Sequence, residues 1–371
     1  MALSLNERDR RYHAIRTMMK EKNLSILVVA SNSMWTGHVR YFSNFPPTYG
    51  YAYLVFPQEE DPTQFVFTVG AAQAASKGWV KDSRHAPNYA DAITKRVKEL
   101  NYDGRCIGLV GAENLSFKIY EHLKKEIPSV NFVDVTKEIF ELRMIKSEEE
   151  QALSRQCACI ADRLFSRVRE VAKIGLHESD VFAEMNYYMW KQGVESAFNL
   201  IGSGRFPTTL SLSPSDRVLG PEDSLLLELT PRFQGYYTQL TAVLPLQEPS
   251  PRMREFLDIA LAAQKAGLNL MKPGNRAKDV AKAMKAVVEK SGYAFPSRGG
   301  HSMGHDLDEP PAIVVEDETI LRAGMTIVIH PSVIDRNGDG VFMGDSYLIT
   351  DTGWERLNTT FSQQKNQERR V

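Results

Sequence analysis

Residues Gly299 to Pro311 read GGHSMGHDLDEPP. His301 and His305 lie four apart, and Asp306, Asp308 and Glu309 follow closely. Imidazoles and carboxylates at this density suit metal ligation or proton transfer. The glycines around them argue for a loop, so His305 is expected to be structural or solvent-facing. A third histidine, His330, ends the apolar run MTIVI, where strand alternation alone lets it face either way. Glu228 interrupts the run LLLEL. A carboxylate among leucines is costly unless paired, and His301 and His330 are the expected partners. Burial would raise its pKa and suit it to acid–base work near neutrality. Gln239 can hydrogen-bond a substrate or be a structural relic, and Asp308 or Asp345 can orient an imidazole. Ser211, in TTLSLSPSD, is a weak nucleophile candidate, because no elbow motif surrounds it.

These residues need elements to hold them. SILVVA (25–30), YAYLVF (51–56), QFVFTV (64–69) and CIGLV (106–110) are short β-rich runs. Helical patterns at 91–100 and 116–127 lie between them, so the first part is expected to be an α/β layer domain. Ser147 and Glu150 form a capping box that opens a long helix to about Ala172, and the domain boundary is expected near Leu142 to Lys146. Further helices are expected at 179–192, 251–270 and 277–291. SLLLELTPRFQGYYTQLTAVLPL (224–246) reads as a hairpin turning at Pro231 to Gly235. AGMTIVIHPSVIDRNGDGVFMGDSYLIT (323–350) reads as another, and DRNGDG is its turn. A calcium loop would need a glutamate where Ser346 stands. The polar tail after Asn358 is expected to fray.

The 371 residues allow two domains. Hydrophobic residues are 43% and charged residues 25%, as in a soluble globular protein. The net charge of −1 favours neither nucleic acid nor an anionic membrane. The first residues, MALSLNERDRRYH, do not read as a secretory signal. Cys106, Cys157 and Cys159 are too sparse for a disulfide framework and point to a reducing compartment, expected to be the cytoplasm.

The order of segments resembles the pita-bread superfamily of methionine aminopeptidase, aminopeptidase P, prolidase and creatinase. LRMIKSEEE is similar to the segment that leads into the catalytic domain. LGPEDSLLLELTPRFQGYYTQLT, GGHSMGHDLDEPPAI, LRAGMTIVIHP and VFMGDSYLITDTGWERL resemble the four catalytic segments in order. The resemblance implies a creatinase-like α/β N-terminal domain over 1–145. Over 146–371 it implies an α+β pita-bread catalytic domain.

The metallopeptidases of that superfamily hold two divalent metals with two Asp, one His and two Glu. By resemblance those positions fall on Glu228, Gln239, His301, His330 and Gly344. An amide and a glycine have replaced two carboxylates, and an imidazole a third, so the set has lost the anionic charge that two divalent ions need. The accessory histidines fall on Ser211 and Asp308. GYYT and GHSMG look closer to creatinase, which works without metal. Its substrate-gripping glutamates, however, fall on Thr241 and His330, so creatine does not fit. The loop from Met34 to Tyr53 corresponds to one that, in creatinase-like dimers, reaches the partner's site. His38, Arg40 and Tyr51 could contribute there, and Arg40 would favour a carboxylate.

Three readings follow. The first is a metal-independent hydrolase or lyase without cofactor, acting on a C–N or C–C bond of a small carboxylate or amide. His301 and His330 would move protons and Glu228 would assist. Gln239, Tyr236 and Tyr237 would bind substrate, with Asp308, Asp345, Ser211 and Arg40 as further candidates. The second is a mononuclear Fe, Zn or Mn enzyme with Glu228, His301 and His330 as ligands. The third is an inactive pseudo-peptidase serving as a binding module. A homodimer is implied by the resemblance.

Overall fold

The computed structural model describes residues 3–46, 49–67, 70–100, 106–295 and 298–359. It divides into two compact units, Met1–Arg143 and Met144–Val371.

The first unit has strands β1 (Leu24–Asn32), β2 (Tyr51–Pro57), β3 (Thr63–Phe65), β4 (Asp82–Arg84), β5 (Cys106–Val110) and β6 (Phe132–Asp134). They form one mixed sheet in the order β4-β3-β2-β1-β5-β6. Its helices are α1 (Leu5–Glu21), α2 (Gly37–Ser43), α3 (Gly70–Lys77), α4 (Tyr89–Glu99), α5 (Phe117–Glu126) and α6 (Thr136–Met144). Side chains alternate along β1, so Leu27 and Val29 pack with Ile15, Phe42 and Ala74 of α1, α2 and α3. Ile26 and Val28 pack on the other side with Ile93 of α4 and Leu123 of α5. A strand covered on both faces reads as a continuous apolar run, as β1 does. The third run expected from sequence ends early at Phe65, and its last two residues, 68 and 69, lie outside the described residues.

The second unit opens with α7 (Glu148–Val171) and α8 (Glu178–Lys191). Ser147 Oγ accepts from the Glu150 N–H at 3.3 Å, and the Ser147 N–H donates to Glu150 Oε2 at 2.8 Å, completing the capping box. The strands that follow are β7 (Ser196–Ala197), β8 (Leu200–Gly204), β9 (Ser224–Leu229), β10 (Pro231–Phe233), β11 (Tyr236–Tyr237) and β12 (Leu240–Pro245). β9 and β12 form the expected hairpin, with Glu228 opposite Thr241. Its turn is tighter than expected from sequence. Pro231 to Phe233 pair as strand, and only Gln234 and Gly235, both at positive φ, make the reversal. Leucines of β9 face α7 and α8, where Leu225, Leu227 and Leu229 meet Phe165 and Met185.

Helices α9 (Pro251–Leu270) and α10 (Ala277–Lys290) come next. Then follow β13 (Gly300–Ser302), β14 (Glu309–Ala312), β15 (Thr326–Ile329), β16 (Ser332–Ile334), β17 (Gly340–Phe342), β18 (Asp345–Ile349) and β19 (Trp354–Arg356). A five-stranded sheet runs β14-β13-β15-β18-β19. Between β16 and β17 the Asp335 carboxylate accepts from the Asn337 and Asp339 N–H groups, so DRNGDG is a turn. The tail expected to fray falls mostly at 360–371, outside the described residues. Among the described residues no helix is long and apolar enough to cross a membrane.

Candidate active site

Cross-strand partners in an antiparallel sheet share a face. Ile329 pairs with Asp345, and Ile327 with Tyr347. Ile327, Ile329 and Tyr347 pack into the core formed with α9 and α10. His301 pairs with Val328, and Val328 with Ser346, so these three face the opposite way. His330 follows Ile329 and therefore turns to the His301 face. The two imidazoles meet edge to face, with ring centroids 5.3 Å apart. Phe342 closes against His330 at 4.7 Å.

His301 and His330 are both buried, and so is Glu228. His301 Nδ1 lies 3.1 Å from the Ser302 carbonyl. A carbonyl only accepts, so Nδ1 carries the hydrogen and Nε2 keeps a lone pair. Burial pushes the His301 pKa down to about 3, and the charge of Arg298 pushes the same way. Burial also holds His330 well below its ordinary value, helped by His301. Both rings are neutral at physiological pH. His330 Nδ1 has no hydrogen-bond partner among the described residues. An orphaned buried acceptor or donor costs about 1–3 kcal/mol, which a ligand group would relieve.

Burial pushes Glu228 up to about 7, and the Arg298 guanidinium draws it part of the way back. The imidazole partners expected for Glu228 are not its partners: neither histidine bonds to it among the described residues, and the opposing charge is Arg298. The His301 hydrogen is already committed to Ser302. Arg298, three residues before His301, was not singled out from sequence, where it reads as one more charge beside a loop. It binds Asp308 Oδ2 at 2.5 Å. Asp308 Oδ1 lies 3.6 Å from His301 Nδ1, so Asp308 stands beside the imidazole.

The other candidates scatter. The Gln239 amide donates to Thr241 Oγ1 at 3.0 Å, and its backbone is tied to Ser346 Oγ. Tyr236 O–H lies 2.8 Å from Glu150 Oε1 and 3.1 Å from His305 Nε2, so this tyrosine and His305 belong to a buried network beneath the loop. Tyr237 packs with Met303 and Val328, and Arg232 lies over its ring. Asp345 faces the helices, bonded to Tyr347, Gln264 and Arg356, away from His301. Ser211 is exposed, and its hydroxyl accepts from the Ser213 N–H. Arg40 is buried in α2 of the first unit.

The sequence profile described as metallopeptidase family M24 matches residues 152–351, and that of the creatinase/prolidase N-terminal domain matches 11–145. The chain belongs to metallopeptidase family M24. A Xaa-Pro dipeptidase of Pyrococcus furiosus is 30% identical over 71% of this chain and 76% of its own length. An uncharacterized hydrolase/peptidase of Sinorhizobium fredii is 27% identical over 94% of this chain and 93% of its own. The crystal structure of the prolidase from Pyrococcus horikoshii superposes with a TM-score of 0.83 at 26% identity, covering 95% of this chain and 98% of that one. The fold is thus a creatinase-type N-terminal domain followed by a pita-bread catalytic domain.

The family implies metal, and the residues here do not fit it. Gly344 stands where the resemblance puts the last ligand. A Cβ there would lie 1.9 Å from the Ile329 carbonyl oxygen and 2.5 Å from His330 Cα, so no side chain has room. The Gln239 amide is neutral and turned to Thr241. Among the described residues no three His, Cys, Asp or Glu side chains are grouped to hold a metal ion.

Proposed function

We propose that this chain is a metal-independent hydrolase or lyase that cleaves a C–N or C–C bond in a small substrate bearing a carboxylate or amide. One observation carries this reading: two neutral imidazoles sit ring against ring beside the closed Gly344 position, with an orphaned nitrogen on His330. His301 Nε2 keeps its lone pair, since the Nδ1 hydrogen is held by Ser302, and it positions the attacking water or the substrate by accepting a hydrogen bond. Glu228, in its ionised form, takes a proton from that water, or from the substrate carbon in a lyase step. Glu228, poised near neutrality by burial, returns a proton to the leaving group. His330 offers Nδ1 to the substrate.

The relatives' name, Xaa-Pro dipeptidase, suggests a different substrate, a dipeptide ending in proline, and the family's description suggests metal. The ligand exchanges argue against it. Among the described residues Glu228, His301 and His330 are not grouped to hold a metal ion, which argues against the mononuclear reading. We place the enzyme as a homodimer in a reducing cytoplasm. Its three cysteines are free, which suits that setting.

The test is an activity screen with small amides, amido acids and Xaa-Pro dipeptides, in chelator and again with added manganese. Turnover of a small amide or amido acid in chelator, lost in Glu228→Gln and His330→Ala, is expected. Manganese-dependent cleavage of a Xaa-Pro dipeptide, abolished by chelator, would contradict it.

A further inference from the structure

Resting on the reading just given, we infer that Arg298 is the receptor for a carboxylate of the substrate, and that Asp308 fills that receptor until substrate arrives. A carboxylate already lies between this guanidinium and the site. Asp308 touches Arg298 through Oδ2 at 2.5 Å and stands 3.6 Å from His301 Nδ1 through Oδ1. The pair is accessible, with 37% of the Arg298 side chain and 36% of Asp308 exposed, whereas His301 is buried at 3%. An ion pair open to water exchanges one carboxylate for another at little cost, and the planar guanidinium fork matches the two oxygens of a carboxylate.

The geometry also bounds the substrate. A single carboxylate reaches from Arg298 to within 3.6 Å of His301 Nδ1, and Nε2 stands across the same ring, so the bond that His301 faces lies about one imidazole width from the anion. The class is therefore a compact amido carboxylate, its C–N bond within about one imidazole width of the carboxyl group, rather than a long chain with a distant acid.

The experiment is calorimetric titration of the full-length chain in chelator with two probes of matched shape. N-Acetylglycine carries the carboxylate, and N-acetylglycinamide replaces it with a neutral amide. The wild type is expected to prefer the acid by about tenfold or more, as charge-assisted bonds to arginine do. Arg298→Gln should erase that preference, and Arg298→Lys should keep part of it. Asp308→Asn should tighten N-acetylglycine severalfold, because the resident competitor is gone. Equal binding of the two probes to wild type, a preference that survives Arg298→Gln, or weaker acid binding in Asp308→Asn would each overturn the inference. So would absence of binding to both wild type and Asp308→Asn. If Arg298→Gln does not fold, Arg298→Lys and Asp308→Asn decide the matter. Binding is read without turnover, so metal-dependent activity would sink the preceding reading alone, and loss of acid preference would sink this one alone.

Discussion

Burial of Glu228 gives the site its clearest pH signature. Its folded pKa of about 7 stands above the ordinary 4.5. Below pH 4.5 both folded and unfolded forms are protonated. As pH rises from 4.5 to 7 the unfolded chain ionises first, so the protonated form's contribution to stability is lost, by roughly 3 kcal/mol once above the folded pKa. Glu228→Gln removes this titration. Urea unfolding of the two proteins is expected to show the variant gaining on wild type as pH rises through that window. His301, whose pKa is depressed, acts in the opposite sense and cancels in the comparison. A stability difference that does not change with pH would contradict the burial account.

The residues of the site were unequally legible. Glu228 announced itself because a carboxylate inside LLLEL has no apolar reason to be there. His330 could not be oriented from alternation alone; its position one past the buried Ile329 turns it to His301. Asp345 looked like a neighbour of the site, but strand pairing places it opposite Ile329 on the helix-packed face. Arg298 was missed because it carries no motif, and only proximity in three dimensions shows what its charge reaches.

Elements were read more closely than residues. The helix at 251–270 was expected at the bounds it has, and α7 begins at the capping box that Ser147 and Glu150 spell out. Local chemistry decides such boundaries. The reversal at Gln234 and Gly235 was less visible, because Pro231 looks like a turn residue yet pairs with Ala197 as strand. The capping box has a measurable consequence. Glu150 is also bonded to the Tyr236 hydroxyl, so the cap ties the start of α7 to the hairpin that carries Gln239. Ser147→Ala is expected to cost about 1 kcal/mol by thermal or urea unfolding, as lost N-caps do. No loss of stability would mean that tertiary contacts alone fix the start of the helix.

At the scale of the whole molecule, the family fold is kept, while by resemblance its ligand positions fall on Glu228, Gln239, His301, His330 and Gly344. The order of the four catalytic segments made the fold readable, since order along the chain survives substitution at single positions. Which neighbours fill the space left by a lost ligand was not readable from sequence. At Gly344 the Ile329 carbonyl and His330 approach too closely for any side chain, so the exchange is built into the backbone path. That constraint makes metal content the most direct test of the account. Plasma mass spectrometry of the purified full-length protein, before and after equilibration with manganese, zinc and iron, is expected to find no stoichiometric metal. One or two ions bound per chain, lost in His301→Ala or His330→Ala, would contradict the account and return this chain to the metal-dependent members of its family.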